Sequence, residues 1–202
     1  MDTSNLKMTK FNLLTFIEPA LSYIDSGKLF RKPFGWLYVA LAVVNAVLPF
    51  YLLYQAINSG FFKYSEGKLI FAFIIAWLFV VAACWVGVQI WWNRKDKVLE
   101  TSQEGAEFPV TPVIAHFIQT FGEWFGSLIA IIGFGVSLCV ILFFGGSGGR
   151  ELASAFMPFN FANLGFLGLF LNPLLGFFII IGFRFFAELC RALAAIANNT
   201  QK

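Results

Sequence analysis

Arg184, Glu188 and Arg191 follow one another at helical spacing, directly after the last long apolar stretch of the chain. Residues four apart are neighbours on a helix surface, so Arg184 and Glu188 can pair. Glu123 begins another apolar stretch, and we expect it to reach Arg184 and form an ion pair between two helices. The same four charged side chains are also candidates for contacts with lipid headgroups or a protein partner, because ionisable groups at a membrane are functional candidates.

Other residue types with reactive side chains are few and dispersed. The chain has one histidine, His116, and three cysteines, Cys84, Cys139 and Cys190. Metal and haem sites need several converging ligands, which this set does not supply. The motifs of zinc peptidases, serine hydrolases and nucleotide-binding loops do not occur. We therefore expect no catalytic site, no cofactor and no metal, and we interpret His116 as a half-exposed packing residue.

Four apolar stretches must position the charged residues: 34–57, 69–92, 122–144 and 164–183. None contains Lys, Arg, Asp or Glu except Glu123, at the start of the third. A helix of about 20 such residues crosses a hydrocarbon core of about 30 Å. A composition with 59% hydrophobic and 12% charged residues also excludes a water-soluble globule. The sequence predicts an all-α, multi-pass integral membrane protein with four transmembrane helices.

The positively charged residues are unevenly placed around these stretches. Eleven Lys and Arg residues precede the first stretch, separate the second from the third, or follow the fourth, whereas three lie in the other two connections. Positive residues are retained on the cytoplasmic side of a membrane. Both termini are therefore predicted to be cytoplasmic (N-in/C-in).

Two further segments, about 11–30 and 108–121, have apolar residues at helical spacing but are not long apolar spans. We predict that both are amphipathic helices at the cytoplasmic interface. In each, a proline opens an apolar helical stretch, Pro19 in the first and Pro112 in the second, as the first turn of a helix allows. Because an interfacial helix, a span, an external loop and a span occur twice, the pattern predicts an internal repeat.

The repeat divides the chain into two predicted two-span units. The first unit, 1–107, contains the spans 34–57 and 69–92 and ends in a cytoplasmic linker, 93–107. The second unit, 108–202, contains the spans 122–144 and 164–183 and ends in a cytoplasmic helix, 184–198. Small residues recur four apart in these spans, as in Ala72 and Ala76 or Gly122 and Gly126. Such spacing favours close helix packing, either within the chain or between copies.

The second unit has a Thr-Pro pair at Thr111 and Pro112 and an Arg-x-x-x-Glu pattern at Arg184 and Glu188. With these motifs it resembles a small bacterial membrane family catalogued as domain of unknown function 4282, and the first unit would be a degenerate tandem copy. The resemblance implies the bacterial cytoplasmic (inner) membrane and two-span hairpin units. It implies no activity, since none is assigned to that family.

The function predicted from these features is non-enzymatic: an accessory, scaffold or assembly protein that binds another membrane protein or lipid. Expected partners are membrane lipids and another membrane protein or copies of itself, and no nucleic acid. The alternative is a small oligomeric channel or transporter. In that case five polar residues would have to face a shared axis: Asn45, Gln89, Ser127, Ser137 and Asn172. A lipid-modifying enzyme, the third possibility, would have to use His116, Glu123, Arg184 and Glu188.

Overall fold

The computed structural model describes residues 28–100, 110–145, 161 and 164–200. Within these ranges the chain forms five helices and no strand: α1 (Lys28–Asn58), α2 (Phe61–Tyr64), α3 (Gly67–Glu100), α4 (Val110–Phe144) and α5 (Phe166–Thr200). All but the single-turn α2 are long and apolar enough to cross a membrane. The all-α prediction and its four long apolar helices are confirmed, and they are compatible with a multi-pass membrane protein.

The helices are longer than the apolar stretches from which they were predicted. α3 has 34 residues, and α4 and α5 have 35 each. At about 1.5 Å per residue each is about 50 Å long, against a hydrocarbon core of about 30 Å. Charged residues end an apolar stretch without ending a helix, since Arg, Lys and Glu have high helix propensity. The extra length lies in residues 93–100, 110–121 and 184–200.

Three predicted boundaries change accordingly. Residues 93–100, expected to begin a linker, continue α3. The segment 108–121, expected to be a separate interfacial helix, is from Val110 onward the first part of α4, with several side chains buried between helices. The predicted C-terminal helix 184–198 is continuous with the fourth span. The predicted interfacial helix 11–30 lies outside the described residues, apart from 28–30 in α1.

The long helices pack in their order along the chain. α3 packs against α1 and α4, while α5 packs almost entirely on α4, which makes the most extensive helix pair. One core cluster, where α1, α3 and α4 meet, centres on Tyr38, Trp91 and Val113. A second cluster joins α3 to the other end of α4, and it includes Ala72 and Val136.

Small residues permit the close approach of these helices. A Cβ atom on Gly126 of α4 would lie 2.5 Å from the carbonyl oxygen of Gly176 on α5, which is closer than atoms can pack. Ala72 and Ala76 are fully buried against residues of α4. The small-residue spacing thus serves packing within this chain, as it commonly does between helices in lipid.

Buried amide and hydroxyl groups add hydrogen bonds to the same interface. Asn172 of α5 donates from Nδ2 to Ser137 Oγ at 2.9 Å and to the carbonyl oxygen of Gly133 at 3.1 Å. Its Oδ1 accepts from the backbone N–H of Phe161 at 3.0 Å. These bonds satisfy a side chain with no exposed surface, and an unsatisfied amide would be costly in lipid.

Candidate functional site

A line of polar side chains crosses three helices near the ends of α3 and α5 and the start of α4. At its centre is an ion pair between α3 and α4. Arg94 Nη2 donates to both carboxylate oxygens of Glu123, at 2.8 Å to Oε1 and 2.6 Å to Oε2. The side chains are 27% and 16% exposed. Because both are largely shielded from water, their attraction is less screened than that of a surface pair.

Gln119 extends this line to α5. One turn before Glu123 on α4, it donates from Nε2 to Glu123 Oε1 at 3.0 Å. Its Oε1 accepts from Arg191 Nη2 of α5. We refer to Arg94, Glu123, Gln119 and Arg191 as the polar clamp. An amide can donate and accept at once, so Gln119 links two cations to a single carboxylate without bringing the two guanidinium groups together.

The expected Glu123–Arg184 pair is not what the structure contains. Glu123 pairs with Arg94, and Arg184 pairs with Glu188 on its own helix, with a 3.4 Å distance between Arg184 Nε and Glu188 Oε1. The second pair is 60% and 61% exposed, and exposed pairs of this kind contribute little to stability. Of the four candidate residues, Glu123 and Arg191 therefore lie in the polar clamp, and Arg184 and Glu188 lie on the outer surface of α5.

A second polar group lies beside the clamp, between α1 and α4. The hydroxyl of Tyr38 is 2.9 Å from His116 Nδ1 and donates to Thr120 Oγ1 at 3.2 Å. Thr120 in turn donates to the carbonyl oxygen of His116 at 2.8 Å. Since the Tyr38 proton is directed to Thr120, the phenol oxygen is free to accept from His116 Nδ1–H. His116 is buried, and the expectation of a half-exposed residue was wrong.

Asn45 and Trp124 join α1 to α4 one further turn along. Trp124 Nε1 donates to Asn45 Oδ1 at 2.8 Å, and Asn45 Nδ2 donates to the carbonyl oxygen of Leu41 at 2.8 Å. Asn45 also lies against Gly87 of α3, where a Cβ would collide with its side chain. The first two-span unit thus binds the second through specific polar contacts as well as apolar packing.

The chemistry available to this region is that of recognition and positioning. Among the described residues no group of three or more His, Cys, Asp or Glu side chains is arranged to hold a metal ion. Cys139 is buried and donates from Sγ to the carbonyl oxygen of Ala72 at 3.4 Å. The carboxylate of Glu123 is held by one arginine and one amide, which is typical of a fixed structural charge.

Comparisons with protein-family models, with curated proteins and with solved structures gave no match. The resemblance to the 4282 family therefore stays a prediction.

The sequence did not single out several residues of this region, among them Arg94, Gln119 and Tyr38. Arg94 follows the second apolar stretch and Glu123 begins the third, so the connection between the stretches brings both to one end of the bundle. That order along the chain was the available signal for their pairing. Tyr38 is an aromatic residue near the start of an apolar stretch, where such residues are common at a membrane interface. Nothing in the sequence identifies His116 as its partner.

Proposed function

We propose that this protein is a non-enzymatic accessory or scaffold protein of the bacterial cytoplasmic (inner) membrane, with both termini in the cytoplasm. It binds another membrane protein through the cytoplasmic end of the outer face of α5. The single observation that carries this proposal is the length of that face. Its exposed large apolar side chains run from Phe166 to Ile196.

This face is longer than the hydrocarbon core of a bilayer. From Phe166 to Ile196 it measures about 45 Å along the helix, whereas the hydrocarbon core is about 30 Å thick. The residues after Arg184 up to Ile196 extend about 18 Å, and a headgroup layer is only about 5 to 8 Å deep. Exposed apolar surface beyond the lipid is typical of a protein interaction site.

The end of α5 is also held upright against the bundle. Ala187 and Ala194 are buried, and Arg191 contacts Gln119 of α4. This packing keeps the segment beside α4, so its free side projects away from the membrane instead of lying flat on it. The free side presents Phe186, Leu189, Leu193 and Ile196, which we call the distal face. A partner helix with an apolar stripe would complete it.

The test is a pull-down of the tagged protein from its native membrane in mild detergent, comparing two double variants. Leu193→Ser with Ile196→Ser removes apolar groups from the distal face, where both residues are at least 60% exposed. Leu167→Ser with Leu174→Ser makes the same change on exposed residues of α5 within the apolar stretch. We expect a stoichiometric membrane protein that the first variant loses and the control retains.

Two results would overturn the proposal: no stoichiometric partner for the unaltered protein, or a partner held equally by both variants. A homo-oligomer that depends on the distal face would make the partner a second copy. Four of the five polar residues of the channel alternative form hydrogen bonds within the chain, and the fifth, Gln89, is exposed. Asn45, Ser137 and Asn172 are buried and hydrogen-bonded within the chain, and Ser127 Oγ donates to the carbonyl of Glu123.

The segment 11–30 is part of this proposal as an amphipathic helix at the cytoplasmic surface. Its alternating charged and apolar residues, which include Glu18 and Lys28, support that placement.

A further inference from the structure

A groove lies between the beginning of α1 and the end of α3. It does not include the distal face of α5. Its volume is about 530 Å³, within the range of small-ligand sites. Charged and apolar side chains share its lining: Lys32, Trp36 and Val39 of α1, and Lys95, Asp96 and Leu99 of α3. Gly35 also lines it, and the absence of a side chain there leaves space beside Leu99.

The groove lies where the apolar stretches of both helices end. Lys32 comes two residues before the stretch 34–57, and Lys95 comes three residues after the stretch 69–92. This is the level at which phospholipid headgroups meet the hydrocarbon, and tryptophan is enriched there. Trp36 is 77% exposed and has its ring beside the groove. A ligand from the membrane can therefore enter without leaving the lipid.

The charges of the lining do not neutralise one another. Among the described residues, Lys32, Lys95 and Asp96 form no ion pair with any side chain, and Lys95 Nζ lies 3.7 Å from the ring centre of Trp92. Lys32, Lys95 and Asp96 thus line a single open space, with the Lys95 ammonium over the neighbouring ring of Trp92. A phosphate suits the two lysines, and a ligand cation next to that phosphate suits Asp96.

We propose that this groove binds a glycerophospholipid whose headgroup carries a primary ammonium group. The phosphate lies between Lys32 and Lys95, and the ammonium donates hydrogen bonds to Asp96. The glycerol backbone and the first methylene groups pack against Val39, Leu99 and Trp36. A trimethylated headgroup has no N–H to donate to Asp96, and a headgroup without a cation leaves that carboxylate unpaired, so both bind less well.

The test is native mass spectrometry of the full-length protein released from nanodiscs of equal parts phosphatidylethanolamine, phosphatidylglycerol and phosphatidylcholine. We expect phosphatidylethanolamine to be the lipid retained. In the Lys32→Gln, Lys95→Gln double variant its retention should fall about tenfold or more, as expected for the loss of charge-assisted hydrogen bonds. The matched control is Lys63→Gln with Lys68→Gln, which removes two exposed lysines from the opposite end of the bundle and should change nothing.

The Asp96→Asn variant tests recognition of the headgroup ammonium separately from binding of the phosphate. This variant should still retain lipid but shift its preference from phosphatidylethanolamine to phosphatidylglycerol. Soluble glycerophosphoethanolamine, which has the same headgroup without acyl chains, should not displace the lipid. The proposal is overturned by unchanged retention in the lysine double variant, by indifference to the headgroup, or by equal binding of the soluble compound. None of these outcomes involves a protein partner, so each leaves the proposal for α5 standing.

Discussion

At the scale of single residues, the polar clamp binds three helices to one another, with Arg94 on α3, Glu123 and Gln119 on α4, and Arg191 on α5. The charged residues at the ends of apolar stretches could be predicted to lie together at one end of the bundle. Which carboxylate meets which arginine could not, because Arg94 and Arg184 both end spans on that side. The choice follows from how each helix is rotated about its axis, and packing of the whole core sets that rotation.

The clamp makes a prediction about coupling. In a double-mutant cycle of Arg94→Gln and Glu123→Gln, measured by thermal or denaturant unfolding in detergent, the two substitutions should be non-additive by about 1 kcal/mol, since partners in one network couple by about 0.5 to 3 kcal/mol. Each single variant should lower stability, because it leaves a largely shielded charge without its partner.

The matching control is the exposed pair on α5. Arg184→Gln and Glu188→Gln should each change stability by less than about 0.5 kcal/mol, as is usual for exposed pairs four apart on a helix. Coupling between Glu123 and Arg184 as large as that between Glu123 and Arg94 would contradict the arrangement described here.

At the scale of elements, the hydropathy of the sequence predicted that the long helices exist but did not predict where they end. The apolar stretch 122–144 marks the part of α4 that suits lipid, but the helix begins at Val110, with Pro112 in its first turn. Residues such as His116 and Gln119 look polar enough for an interfacial surface. They are buried because α1 and α5 contact them. The spacing of apolar residues within one segment does not show which other helices will pack against it.

The close contact of α4 and α5 gives a second prediction. Gly126→Ala should destabilise the protein by about 1 to 3 kcal/mol, the usual cost of overpacking a well-packed interface. Its methyl group would meet the backbone of α5 at Gly176, which cannot move aside as a side chain could. The measurement is thermal unfolding in detergent, followed by tryptophan fluorescence or by the loss of folded monomer on size-exclusion chromatography.

Gly182→Ala is the control for this substitution. A Cβ at Gly182 of α5 would have no neighbour within 4 Å. Alanine is also the better helix former by about 1 kcal/mol, so the variant should be neutral or slightly more stable. Equal losses in the two variants would contradict the close α4–α5 contact as the cause of the loss at Gly126.

At the scale of the whole molecule, the orientation in the membrane can be measured directly. Glu66 lies between α2 and α3, and Glu100 ends α3, and both are exposed. In intact cells a membrane-impermeant maleimide should label Glu66→Cys, because that loop is predicted to be outside. Glu100→Cys should be labelled only after permeabilisation, because the positively charged residues predict that its end of the helix is cytoplasmic.

A parallel sample with Cys190 replaced by serine removes the half-exposed native thiol at the cytoplasmic end from the background. Labelling of Glu100→Cys in intact cells, with Glu66→Cys protected, would reverse the proposed orientation.

The order of packing also bears on how the protein is made. Apart from the short α2, each long helix after the first packs on the one that precedes it in the chain. A helix entering the bilayer during synthesis therefore finds a packing partner already inserted. The α1–α4 hydrogen bonds of Tyr38 and Asn45 form only after α4 arrives. The rest of the bundle can be built vectorially, in chain order, by contacts between neighbouring helices that form quickly. Of the four long helices, α5 is then the last to dock.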